Sequence, residues 1–193
     1  MGITISSYTR SHANAIVSLE LRASSIEDWL DKAIAMPNFS PYLKVFESFG
    51  FGSRLSVLLL IQIYPFDKFL VGGQPWVEEE IGHNDKLQLR YRSLRSFQLY
   101  LGIGYKWVQS GDKIVRTIGG STVCRSHLYM WCFDRIAPEG NRRLQTYIGQ
   151  NLGEKYDLLR RGEVKIAGKD AIIRVLYKAT RLLFEELCQE LLE

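Results

Sequence analysis

Little in this chain marks it as a secreted scaffold, a metalloprotein or a membrane protein. Its three cysteines, Cys124, Cys132 and Cys188, form neither an even framework nor a metal-ligand spacing. That excludes a disulfide-stapled fold and makes a reducing cytoplasm the expected location. His83 has no companion at ligand spacing and reads as a surface residue, so no metal site is expected. No basic-then-apolar leader opens the chain, and the longest apolar run, Leu55 to Ile63, is far too short for a membrane span. The expectation is a soluble, cytoplasmic protein without a membrane partner. Internal repeats and low-complexity segments are absent.

What remains is a sequence able to build a core. Of 193 residues, 46% are hydrophobic and 24% charged, which suits one good core or one core plus an appendage. The net charge of +4 permits a nucleic-acid partner without demanding one. Charge is unevenly spread. Lys86, Arg90, Arg92 and Arg95 cluster, as do Arg142, Arg143, Arg160 and Arg161, while acids gather at Glu78-Glu79-Glu80 and near the C-terminus.

Residues 1–36 read as a helical arm or coiled-coil segment, too thin in apolar residues to be a core, with a break expected near Ser24 and Ser25 as a second N-cap. Pro37 ends it, and Ser40-Pro41 starts the next helix, with Tyr42, Leu43, Val45, Phe46 and Phe49 as its apolar face. Phe49-Gly50-Phe51-Gly52 then leads into the strongly apolar Leu55 to Ile63. Helix, apolar-Gly-apolar-Gly, helix is the shape of a helix-hairpin-helix. Gly50 and Gly52 would permit the tight turn and leave bare the amides at the next helix's N-terminus, a phosphate cradle blind to base identity. The alternative is that the glycines only let two core helices cross closely.

Gly72 to Asp85 reads as a loop-like insertion rich in acids. Lys86 to Ser96 reads as a strand with a basic face or an extended lead into the next helix. A short apolar helix around Phe97, Leu99 and Leu101 breaks at Gly102 and Gly104, and Ser110-Gly111-Asp112 has the composition of a tight reversal. Ser110 sits there among Lys106, Lys113 and Arg116, poised to meet a phosphate whose developing charge the cations would offset. A solvated hairpin with a capping serine explains the same residues. Ser121 is expected to cap a helix from Thr122 to Arg135, with Val123, Cys124, Leu128, Met130, Trp131 and Phe133 buried. Asn141 is expected to cap another, placing Arg142 and Arg143 against the helix dipole, either for an anionic partner or as two exposed arginines that cost little. Lys169 to Leu192 completes the chain as an amphipathic helix.

The order of these parts carries a resemblance. Phe46-Glu47-Ser48-Phe49-Gly50-Phe51-Gly52 precedes the apolar helix and Phe66-Asp67-Lys68-Phe69. Ser96 to Ile103 follows, then Gln109-Ser110-Gly111-Asp112-Lys113, Gly120-Ser121 with Arg125, and Lys165-Ile166-Ala167 before the last helix. The set resembles the C-terminal transposase domain of the IS-one-ten insertion-sequence family, the Piv-related DNA recombinases, over roughly residues 40 to 185. The resemblance implies a helix-hairpin-helix transposase domain over residues 37–193; with the helical arm of residues 1–36 and a short β or extended segment near 86–118, the expected fold is mainly α. It implies Ser110 as the nucleophile that joins covalently to DNA. Lys106, Lys113 and Arg116 would then hold the scissile phosphate, Arg125 a neighbouring one, and the backbone at Gly50 and Gly52 the duplex.

The family's preceding nuclease-like domain, with its four metal-binding acids, has no room in residues 1–39. This chain is therefore expected to hold no cofactor, with divalent metal belonging to the missing domain. Gly104, Tyr105 and Lys106 stand where the family usually has proline and arginine, and Ile118-Gly119 replaces a basic pair. No histidine lies near Ser110 to act as base, so help must come from another domain, a metal or a partner subunit. The expected partners are DNA, a guide-type non-coding RNA as in some family members, and a further copy or a nuclease-like domain. The alternative is a non-catalytic DNA-binding helix-hairpin-helix module derived from a transposase.

Overall fold

The computed structural model describes residues 6–81, 87–111, 113–163 and 165–192, with the side chains of Ser110 and Arg116 outside the description. It is mainly helical with short antiparallel strands, and it divides into two compact units, Met1–Ser40 and Pro41–Glu193.

The first unit is dominated by helix α1, Ser7–Ile34. Ser6 caps it, its Oγ accepting from the Thr9 amide at 3.1 Å. The break expected near Ser24 is absent. Each serine costs about 0.5 kcal/mol relative to alanine in a helix, less than the unpaired backbone groups that two new helix ends would expose. No residue of α1 is buried.

The second unit is organised around α7, Gly168–Leu192. Its stripe of Ile172, Val175, Leu176, Ala179, Leu183, Phe184 and Leu187 is buried against α4 (Arg92–Tyr100), α5 (Thr122–Trp131) and α6 (Tyr147–Arg161). Phe66, Phe69, Phe97 and Phe184 interlock edge-on or tilted, with ring centroids 5.3–6.1 Å apart. Gln98 ties α4 to α7, its Nε2 donating to the Tyr177 carbonyl and to Thr180 Oγ1.

Several local expectations are corrected. The insertion read as a loop is a pair of hairpins. Strands β1 (Leu70–Val71) and β2 (Gln74–Pro75) are joined through Gly72 and Gly73, both at positive φ as a two-residue hairpin turn requires. Strand β3 (Val77–Ile81) pairs with β4 (Leu87–Tyr91), facing Glu78 to Arg90 and Glu80 to Gln88. Arg90 bridges Glu80 and Arg92 bridges Glu78. The acidic run thus neutralises part of the basic cluster that follows it. His83 and Lys86 lie outside the described residues.

Ser121 does cap α5, accepting from the Cys124 amide at 3.1 Å. However, α5 ends at Trp131 in a π-turn, Cys132–Ile136, and Val123, Met130 and Phe133 are more than half exposed. The buried side is the narrower row Cys124, Leu128, Trp131, Cys132 and Ile136. The wider turn keeps Ile136 inward while Phe133 swings out.

Helix α6 starts at Tyr147 under a Thr146 cap, not at Asn141, because Gly140–Arg142 forms a 3-10 turn and Leu144 is drawn into the core. Arg142 and Arg143 therefore precede the helix. Arg143 makes a two-pronged pair with Asp157 at 2.8 and 3.0 Å and also donates to the Pro138 carbonyl. Arg161 pairs with Glu139, and Arg160 donates to the Ile166 carbonyl. Most of that second basic cluster is committed within the chain.

Candidate functional site

Two short helices, α2 (Ser40–Ser48) and α3 (Ser53–Ile63), flank the Phe-Gly-Phe-Gly turn. The turn is fastened from beneath. Phe51 meets Trp131 edge-on at 4.9 Å, Phe49 stacks on Phe51 at 5.2 Å, and Trp131 Nε1–H donates to the Phe49 carbonyl at 3.0 Å. Thr146 Oγ1 donates to the Ser48 carbonyl at 2.8 Å.

The two glycines have different reasons to be there. Gly50 adopts φ +60°, a backbone that calls for glycine, and a Cβ on it would lie 2.7 Å from Leu144 Cδ1, which would have to shift. Gly52 has an ordinary extended conformation, φ −76° and ψ 165°, and a Cβ on it would meet nothing within 4 Å. Packing gives no reason for glycine at 52. It is the N-cap of α3, it makes no side-chain capping bond, and Gly52, Ser53 and Arg54 are all exposed. Gly52 thus leaves the first amides of α3 without an N-cap side chain, with the positive pole of the helix dipole behind them.

Arg54 sits on that first turn. Arg135 and Arg142, both exposed, belong to the segments backing the turn: the Arg135 carbonyl accepts from the Leu144 amide at 2.7 Å, and Arg142 lies two residues before Leu144. Glu47 and Asp134, also exposed, carry the opposite sign in the same segments. Arg54 was legible from its place two residues after Gly52. Arg135 was not, since only the fold brings its segment beneath the turn.

The Ser110 stretch is a β-hairpin, β5 (Tyr105–Ser110) with β6 (Lys113–Ile118), paired from Tyr105↔Ile118 to Ser110↔Lys113. Ser110 closes the ladder beside Gly111, at φ +59°. The Ser110 side chain, the Arg116 side chain and Asp112 lie outside the described atoms. Register still places the backbone positions. Facing residues of a ladder share a side, so positions 106, 110, 113, 115 and 117 fall on one face, and 105, 107, 114, 116 and 118 on the other.

Lys113 is exposed directly across from Ser110, whereas Lys106 is four residues along the strand, ~13 Å away. Lys106 runs past Gly119, where an added Cβ would lie 3.2 Å from its Cγ and Cδ. Position 116 is on the other face. The hairpin thus joins Ser110 with Lys113 and does not gather Lys106 and Arg116 with them.

At the hairpin base the backbone is nearly in contact with itself. A Cβ on Gly120 would lie 1.6 Å from the Leu99 carbonyl oxygen, and one on Gly102 2.2 Å from that of Ser121. Arg125 closes this knot, its Nη1 donating to the Gly102 carbonyl at 3.1 Å. It is half-buried and belongs first to the scaffold. An apolar groove of about 610 Å³ opens beside it, between Tyr105, Tyr129 and Ile173.

Cys124 and Cys132 are buried, and burial pushes both thiols up to about 12. They are packed apolar residues, not nucleophiles. No group of three metal-ligating side chains occurs among the described residues, and no described helix is long and apolar enough to cross a membrane. No family model matches the chain, and no curated protein or solved structure matches it either.

Proposed function

We propose that residues 41–193 form a DNA-binding domain of the transposase type, which holds the phosphate backbone of a duplex at the N-terminus of α3 without reading bases. The observation that carries this is Gly52: a glycine that neither conformation nor packing requires, at an uncapped and exposed helix start. A phosphate oxygen seated there would accept from the first amides of α3, which Gly52 has no side chain to cap. Arg54 on the first turn, with Arg135 and Arg142 in the segments behind it, would supply charge. The order of motifs that resembles the IS-one-ten transposases supports the same reading.

The test is a salt titration of binding to two unrelated labelled duplexes. The expected result is similar affinity for both and a log–log slope of about −2 or steeper, as for two or more neutralised phosphates. Absence of binding at low salt contradicts the proposal. Competition by a structured RNA shows whether the same surface serves a guide.

A second reading gives Ser110 the family's chemistry, favoured by its place at the exposed end of a hairpin opposite Lys113. Ser110 Oγ would form a bond to a DNA phosphorus as the bond to the neighbouring sugar oxygen breaks. The leaving hydroxyl would take a proton, and the serine proton would pass to a base on a nuclease-like partner domain or subunit, together with any divalent metal. Incubation with supercoiled DNA and such a partner should trap a protein–DNA adduct. An adduct that persists in Ser110→Ala rules the assignment out.

A further inference from the structure

The long helix α1 presents a heptad seam that is exposed from Ile16 to Ile26 and half-buried at Leu30 and Ala33. Ile16, Leu19, Ala23, Ile26, Leu30 and Ala33 are spaced three, four, three, four and three apart, which are consecutive a and d positions of a coiled coil. Thr9 and His12 continue the phase towards the N-terminus as a polar layer. Ile16, Leu19 and Ile26 are 57%, 64% and 59% exposed. A 28-residue helix with no buried residue lacks the tertiary packing from which helices in proteins draw most of their stability.

The flanking charges choose the occupant and its direction. In this phase Glu20 and Glu27 hold e positions, and Arg22 holds a g position. Antiparallel pairing of two such helices sets e beside e, glutamate against glutamate. Parallel pairing sets each g beside the partner's e five residues on, which is Arg22 against Glu27 of the second copy, twice by symmetry. The Glu27 carboxylate has lone pairs for this cation in addition to its contacts within the chain. We propose that α1 is the dimerisation element of this protein, pairing with a second copy of itself as a parallel two-stranded coiled coil in register. The inference is independent of the DNA reading, since it uses only α1.

The test uses the full chain, with mass measured by light scattering across a concentration series. The expected result is a shift towards twice the 22.2 kDa of one chain. Arg22→Glu and Glu27→Arg should each weaken the dimer at least fivefold, and the double swap should restore it. Helix content by circular dichroism, compared at concentrations where each variant is still paired, should match the parent, because the swaps leave the apolar seam in place.

Orientation is read from Ile16→Cys in a Cys188→Ser background, which removes the only one of the three cysteines that is not buried. Parallel pairing brings the two introduced thiols together, and mild oxidation should link them. Antiparallel pairing puts position 16 opposite 33, ~26 Å away, and should leave them unlinked. A monomer at every concentration, a double swap that fails to restore the dimer, or a dimer that does not cross-link overturns the proposal.

Discussion

Replacing Gly52 with aspartate separates a phosphate seat from a merely structural turn. The backbone at 52 is one that any residue adopts, and an added side chain meets nothing within 4 Å. Aspartate is a preferred N-cap, better than glycine by a few tenths of a kcal/mol, so Gly52→Asp should leave stability unchanged or slightly raised. DNA binding should move the other way. The new carboxylate would occupy the amides that the phosphate needs and place like charge against it. At ~4 Å that repulsion alone is about 1 kcal/mol in water and about 4 at a protein surface. A loss of about 2 kcal/mol corresponds to roughly thirtyfold in Kd, with the salt slope smaller by about one phosphate. Gly52→Ala is the milder change: it offers no cap and no charge but puts a methyl where the phosphate approaches, so it should lose less binding than the aspartate variant. Fluorescence anisotropy gives the affinities and urea unfolding the stabilities. An aspartate variant that binds as the parent does, or an alanine variant that loses as much, refutes the reasoning.

Gly50→Ala should behave oppositely, through the fold. The left-handed backbone costs about 1–2 kcal/mol for a non-glycine residue, and contact with Leu144 Cδ1 adds to it, so urea denaturation should show a loss of at least that size. Trp131→Phe keeps the ring contacts and leaves the Phe49 carbonyl without its 3.0 Å partner, which should cost about 1–3 kcal/mol. Cys124 and Cys132 should resist thiol reagents at pH 8 in the native state and react in urea, with Cys188, held up to about 11, labelled first. Because folding raises these thiols from 9.0, the stability they contribute is complete below pH 9. It should fall as pH rises towards 12, visible as a declining denaturation midpoint in alkali.

Much of the helical framework is legible in the chain because proline, glycine and apolar spacing act locally. Pro41 at the start of α2, Ser121 under α5 and the long stripe of α7 depend on neighbours within a few residues. Strand β4 lies in the stretch read as a strand with a basic face or an extended lead, whereas β3 escapes such reading because its acidic run lacks the alternation of a half-buried strand. The start of α6 was misplaced for a related reason. Asn141 is a good capping residue, but Leu144 is held against Gly50, and the chain cannot begin the helix until it has passed that contact.

At the candidate site, the glycines of the turn stand out in the sequence, while their separate duties do not. That Gly50 is confined by Leu144 and Gly52 by nothing depends on a residue almost a hundred positions away. The cations around Ser110 look like a cluster when counted along the chain. An antiparallel ladder spreads them, since each step moves a side chain about 3.3 Å and to the other face.

The most direct test is an amide NMR titration with a short duplex. A phosphate seated on α3 predicts large, salt-sensitive shifts at the Gly52, Ser53 and Arg54 amides, lost in Gly52→Asp. Shifts confined to other parts of the surface, with those amides unmoved at saturating DNA, would contradict it.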